Sequence, residues 1–131
     1  MKSDINNRED IILLVDTFYA KVQQNNKIGP IFNNIAKVDW SHHLPKMYDF
    51  WESILFGKAI YKGNPMLTHF ALREKANLHQ EEFNTWKALF FDTVDTLFAG
   101  ENAEIIKQKA QSIADLMHFK LNAPKPKINI V

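Results

Sequence analysis

The chain has 131 residues and a formal net charge of +1, with 16 basic and 15 acidic residues interspersed along it. This is the length of one ordinary domain, and the balanced charge excludes a strongly basic surface for nucleic acid or anionic membrane. Cysteine is absent, which excludes disulfides and thiolate sites and fits a reducing compartment. Because the N-terminus is polar and "IILLV" is too short to span a bilayer, we predict a cytoplasmic protein with neither nucleic acid nor membrane as partner.

Helical periodicity begins near the N-terminus of the chain. Asn7 and Asp10 resemble a capping-box pair, and the apolar residues that follow recur at helical spacing, which predicts a helix up to about Gln24. The segment "GPIFNNI" places Pro30 at the start of a second, short helix.

A third helix follows in "VDWSHHLPKMYDFWESILFG", where Gly57 is suited to the C-terminal cap. Pro45 lies inside its apolar pattern and marks either a late helix start or a kink. The apolar stripe of this helix consists of Trp40, Leu44, Met47, Trp51 and Leu55.

Periodicity weakens over residues 59–77, apart from a short helix in "PMLTHFAL", and then two long helices are predicted over residues 80–98 and 102–119. The last ten residues, 122–131, contain two prolines alternating with lysines and are predicted to be a poorly ordered tail. Since no segment has strand periodicity, the sequence predicts one all-α domain of two helical layers, residues 1–121.

The sequence contains no HExxH metal motif, no glycine-rich phosphate loop and no nucleophile elbow. Instead, four polar ring residues lie within or beside apolar patterns, namely Tyr19, His43, His69 and Trp86. Each alone is consistent with ordinary packing or a surface position. The ten Phe, three Trp and three Tyr either fill a helical core or line a flat cavity.

Six blocks, in order and spacing, resemble the truncated haemoglobins, specifically group III: "FYAKV", "GPIFNN", "HHLPKMYDFW", "YKGNPMLTH", "FNTWKALF" and "AGENAEIIKQKAQSIA". The resemblance extends to about Leu121. Glycine occurs only at positions 29, 57, 63 and 100, without the glycine pairs of the other truncated groups. The resemblance implies a truncated globin fold, a two-over-two helical sandwich around haem b.

The resemblance also implies roles for individual residues. His69, in "YKGNPMLTH", matches the proximal histidine that would bind the haem iron and leave the opposite position open to a diatomic ligand. His43, rather than His42, matches the histidine on the ligand side, where it could donate to the ligand, gate its entry or fill the site. Tyr19 and Trp86 match the family's distal tyrosine and tryptophan, and both can donate a hydrogen bond to bound ligand.

A flat apolar cofactor would explain the many rings, and the expected haem-contacting residues are Phe18, Phe32, Met47, Trp51, Met66 and Phe90. Several donors would hold O₂ strongly, which favours redox turnover, such as oxidation of nitric oxide or reduction of peroxide, with electrons from an unidentified reductase. Two alternatives stay open: a gas-buffering or gas-sensing protein without turnover, and a haem-free helical interaction domain whose aromatic residues form only a core.

Overall fold

A computed structural model describes residues 2–32, 39–57 and 80–122, with side chains up to residue 119 in the last range. This part of the chain forms four long helices and contains no strand, which confirms the all-α prediction. The helices are α1 (Arg8–Gln24), α2 (Trp40–Phe56), α3 (Gln80–Leu97) and α4 (Glu101–Asn122). None of them is long and apolar enough to cross a membrane.

Local capping accounts for the ends of α1 and α2. The Asn7 side chain accepts a hydrogen bond from the Asp10 N–H at 3.0 Å, which caps α1 where the sequence predicted its start. The Asp10 carboxylate accepts in turn from the Asn6 N–H at 2.9 Å. Gly57 ends α2 in the left-handed conformation, with φ of 73°, a conformation that favours glycine.

Pro45 lies inside α2, so a late helix start is wrong. The helix begins at Trp40, because the Asp39 carboxylate accepts from the Ser41 N–H at 3.1 Å and from the Ser41 hydroxyl at 2.7 Å. Pro45 cannot donate the helical hydrogen bond to the carbonyl four residues earlier. The aspartate cap therefore decides where the helix starts, and the proline is accommodated in its second turn.

Each of the four helices packs against two of the others. α1 contacts α2 and α3, and α4 contacts the same two helices, so the chain forms two crossed pairs, the two-over-two arrangement. The centre is filled by apolar side chains that solvent does not reach, among them Leu14, Val15, Phe18, Trp51, Phe90, Val94, Ile106 and Ala110. Packing of these stripes places one face of α1 directly against α2.

An ion-pair cluster holds α1 and α2 together at one end. The Arg8 guanidinium lies 2.7 Å from Glu52 Oε1 and 3.0 Å from Asp49 Oδ1. Only 5% of the Glu52 side chain is exposed, so its charge depends on Arg8 for compensation. Nearby, the Tyr48 hydroxyl on α2 donates to the Asp16 carboxylate on α1. These contacts fix how the two helices lie against each other.

The N-terminal segment caps the last helix. The Asp4 carboxylate accepts from the N–H groups of Asn102 and Ala103, each at 2.9 Å. Burial opposes ionisation of Asp4, but these bonds and one from the Ile5 N–H outweigh it and lower the pKa. Gly100, with φ of 147°, leaves room for this contact, since an added Cβ would lie 2.4 Å from Asp4 Cγ.

Little of the two predicted short helices and the predicted tail falls within the described residues. Residues 29–32, at the start of the first predicted short helix, are helical. The short helix in "PMLTHFAL" and the tail beyond residue 122 lie outside the described residues.

Candidate functional site

Tyr19 on α1 and His43 on α2 meet where the two helices pack. Their ring centroids are 5.2 Å apart and their planes are nearly perpendicular, at 84°. Only 5% of Tyr19 is exposed, and the Nε2 atom of His43 is buried. A phenol hydroxyl and an imidazole, both able to donate hydrogen bonds, thus lie side by side, and little solvent reaches Tyr19 or the imidazole Nε2. We call Tyr19 and His43 the polar pair.

The neighbouring histidine points elsewhere. The side chain of His42 is 80% exposed, and its Nε2 lies 4.0 Å from the Asp39 carboxylate at the start of α2. Consecutive residues on a helix cannot share a face. The structure therefore places His43, and not His42, against Tyr19.

Two further rings enclose the polar pair. The ring of Trp40 lies 5.3 Å from that of Tyr19 and 5.5 Å from that of His43. Phe32 approaches Tyr19 at 6.5 Å and Trp40 at 6.1 Å. Sequence reasoning treated Trp40 only as a member of the apolar stripe. The signal that could have found it is its position three residues before His43, which puts both on one helix face.

Trp86 belongs to a second group of rings, on α3. It stacks on Phe90 at 5.6 Å and 8°, and Phe90 in turn stacks on Trp51 at 5.0 Å and 26°. Phe18 joins the two groups, because its ring lies 4.8 Å from Tyr19 and 5.5 Å from Trp86. The aromatic residues therefore form one connected network from the polar pair to α3.

Burial divides the residues expected to contact haem into two sets. Phe18, Trp51 and Phe90 lie in the core and are at most 2% exposed, whereas Phe32, Met47 and Trp86 are only half-buried. His69, the expected iron ligand, and Met66 lie outside the described residues.

The side chains present fit a flat apolar cofactor that binds a small polar ligand on one of its two faces. Half-buried apolar side chains follow α2 at Leu44, Met47 and Leu55, and all three pack against the core while keeping part of their surface outside it. The polar pair lies beside the start of this stripe. Apolar walls with a few placed donors are the usual make-up of a cofactor pocket, and haem sites use distal donors in this way.

Four helices in two crossed pairs, with an aromatic network and the polar pair between them, are typical of the globin class. The sequence profile of the bacterial-like globins matches residues 3–122. The chain is 35% identical over 123 residues to a group 3 truncated haemoglobin of Campylobacter jejuni, covering 92% of this chain and 93% of the relative.

Structural comparison agrees with these sequence matches. The crystal structure of group III truncated haemoglobin from Campylobacter jejuni matches with a TM-score of 0.81 and 33% identity, covering 96% of this chain and 99% of the other. The chain belongs to the bacterial-like globin family and, within it, to the group III truncated haemoglobins. It is a haem-binding protein that takes small gas ligands.

Proposed function

We propose that this globin carries haem b with His69 as the axial ligand of a five-coordinate iron, binds O₂, and uses it in redox chemistry in the cytoplasm. The observation that carries this proposal is the polar pair, two potential donors whose ring centroids lie 5.2 Å apart, with Tyr19 and the His43 Nε2 atom both buried. A protein that only released O₂ would gain little from several donors. The absence of cysteine supports a reducing compartment.

The haem iron, when bound, supplies the open coordination position and the electron exchange. The protein supplies the surroundings. The Tyr19 hydroxyl, the His43 imidazole and the Trp86 indole N–H can each donate to a ligand that gains negative charge. Phe18 and Phe90 are fully buried behind Trp86, so they exclude water and strengthen such hydrogen bonds.

Turnover needs electrons from outside the chain. Conversion of nitric oxide to nitrate consumes one O₂ and one electron, and reduction of peroxide to two waters consumes two electrons and two protons. No flavin or nicotinamide motif occurs in the sequence, so a separate reductase would deliver them. Gas buffering or sensing uses the same residues without this step. Sustained consumption of nitric oxide with a chemical reductant is expected for the redox role, whereas a protein whose iron is not reduced again stops after one equivalent.

Replacing His69 tests the axial ligand. We expect His69→Gly to lose stable haem binding, or to give a haem complex that added imidazole restores, because imidazole can occupy the space of the deleted ring. The matched control is His42→Ala, which removes a histidine whose side chain is 80% exposed. Absorption spectra of the reduced proteins with and without imidazole provide the measurement. A normal spectrum for His69→Gly without imidazole would show that another residue binds the iron.

Replacing Tyr19 tests the donor role. Tyr19→Phe removes only the hydroxyl, so the ring contacts with Phe18 and His43 remain. A hydrogen bond to a charged partner is worth about 1.5–3 kcal/mol, so we expect O₂ dissociation to accelerate by roughly 10- to 100-fold. CO, which gains far less negative charge, should respond weakly. Stopped-flow measurement gives the ratio of the O₂ and CO dissociation rates in the wild type and in Tyr19→Phe. Equal acceleration of O₂ and CO release would exclude donation by Tyr19.

A further inference from the structure

Trp40 closes a triangle of rings with the polar pair. Its centroid lies 5.3 Å from Tyr19, at 53°, and 5.5 Å from His43, at 79°. Since the polar pair are themselves 5.2 Å apart, each of the three rings contacts the other two. Two of these contacts have the edge-to-face geometry that aromatic and imidazole rings favour. The position of His43 is therefore defined by rings from two different helices.

The position of Trp40 is itself well defined. It is the first residue of α2, next to Asp39, whose carboxylate caps the helix through Ser41. The ring centroid of Phe32 lies 6.1 Å from that of Trp40, and the two ring planes make an angle of 35°. The cap fixes the backbone at the start of α2, and the Phe32 ring packs against the indole. Because His43 follows one turn later on the same face, the indole lies beside the imidazole along the helix.

We propose that Trp40 is a positioning residue, which holds the His43 imidazole against Tyr19 and shields its Nε2 atom from solvent. The residue is half-buried, at the edge of the site, where an imidazole could otherwise rotate outward into water. Staggered rotamers offer His43 such an alternative, and removal of the indole from one side of the imidazole would increase its population. The relevance of this role for ligand binding depends on the proposed function, but the positioning itself does not.

The first experiment measures the shielding of His43 without any gas ligand. Diethyl pyrocarbonate acylates neutral imidazole nitrogens that solvent reaches, and fragment mass spectra of the haem-containing protein separate His42 from His43. In the wild-type protein we expect rapid reaction of His42, which is 80% exposed, and slow reaction of His43, whose Nε2 is buried. Trp40→Leu should accelerate the reaction of His43 by about 2- to 10-fold, the factor equivalent to the stabilisation from one pair of packed rings.

Three controls test whether a change in the His43 reaction rate is due to loss of the Trp40 ring. The rate of His42 should not change, since its side chain is already 80% exposed and residues two apart on a helix do not face each other. His42 therefore serves as an internal reference in every sample. Trp40→Phe retains an aromatic ring and should restore most of the shielding, and it remains informative if Trp40→Leu folds poorly. Phe98→Leu makes a comparable apolar truncation in the core beyond the end of α3 and should leave His43 slow.

The second experiment asks whether Trp40 acts through His43. O₂ dissociation is measured for Trp40→Leu, His43→Leu and the double variant. We expect Trp40→Leu to change the rate in the same direction as His43→Leu, and to add less than about a 2-fold further change once His43 is absent. If Trp40→Leu instead disturbed the whole pocket, its change in O₂ dissociation rate would appear in full in the double variant, in addition to that of His43→Leu.

The outcomes separate the two proposals. An unchanged His43 reaction rate in Trp40→Leu, or a full additional effect of Trp40→Leu in the His43→Leu background, overturns the positioning role. Faster reaction of His43 together with unchanged O₂ release in both single variants supports the positioning role and contradicts the donor role given to His43 in the proposed function.

Discussion

Replacement of Arg8 by methionine tests how strongly the ion-pair cluster stabilises the contact between α1 and α2. Arg8 lies 2.7 Å from Glu52, and charges at that distance attract by about 6 kcal/mol at an effective dielectric of about 20. Desolvation of Glu52 offsets much of this attraction. Loss of one partner from a fully buried pair costs about 3–5 kcal/mol. Because 37% of the Arg8 side chain is exposed, water can replace part of the lost interaction, and we expect a cost of about 2–3 kcal/mol.

The assay is urea unfolding followed by circular dichroism, and α1 offers a matched control. Lys21 also pairs with an acidic residue on another helix, Asp92, at 3.0 Å, but 70% of the Asp92 side chain is exposed. Lys21→Met should therefore lower the free energy of unfolding by less than about 1 kcal/mol.

A second variant identifies the cause of the loss. Glu52→Gln in the Arg8→Met background removes the buried charge that has lost its Arg8 partner while preserving volume, and should recover more than half of the lost free energy. If Arg8→Met costs no more than Lys21→Met, burial of Glu52 does not govern the energetics of this contact and the reasoning is wrong.

The remaining predictions concern capping and pH. Asp4→Ala should destabilise the protein by about 1 kcal/mol by thermal unfolding, as expected for loss of a helix cap. Because the pKa of Asp4 is lowered in the folded state, its stabilisation is present above about pH 4 and disappears as the pH falls through the folded value. The free energies of unfolding of the wild type and of Asp4→Ala should therefore converge at acid pH. Gly100→Ala should cost about 1–3 kcal/mol and should not add fully to Asp4→Ala, because both disrupt one contact. Burial, together with the Asp16 carboxylate, raises the pKa of Tyr48 to about 12, so its stabilising contribution should persist to about pH 10 and be lost through pH 12. Tyrosinate absorbance should show this late step, and Tyr48→Phe should abolish it.

The helices could be predicted from sequence because their signals are local. Apolar spacing along α1 and α3, the Asn7 cap and the Gly57 cap involve residues only a few positions apart, and the described ends agree closely with the prediction. The roles proposed for Tyr19, His43 and Trp86 came from block resemblance. Periodicity alone does not separate a residue proposed to contact haem, such as Met47, from a core residue.

The sequence by itself determined the helical class and most helix ends, because capping and amphipathic spacing act within a few residues. It also determined the family, through the resemblance of whole sequence blocks. Only the tertiary structure decided which residues meet across helices. The contact of Tyr19 with His43, the cap that Asp4 makes on α4 and the dependence of Glu52 on Arg8 each join distant parts of the chain. Such contacts depend on how the apolar faces of the helices cross and which side chains become buried there, and one-dimensional spacing does not contain that geometry.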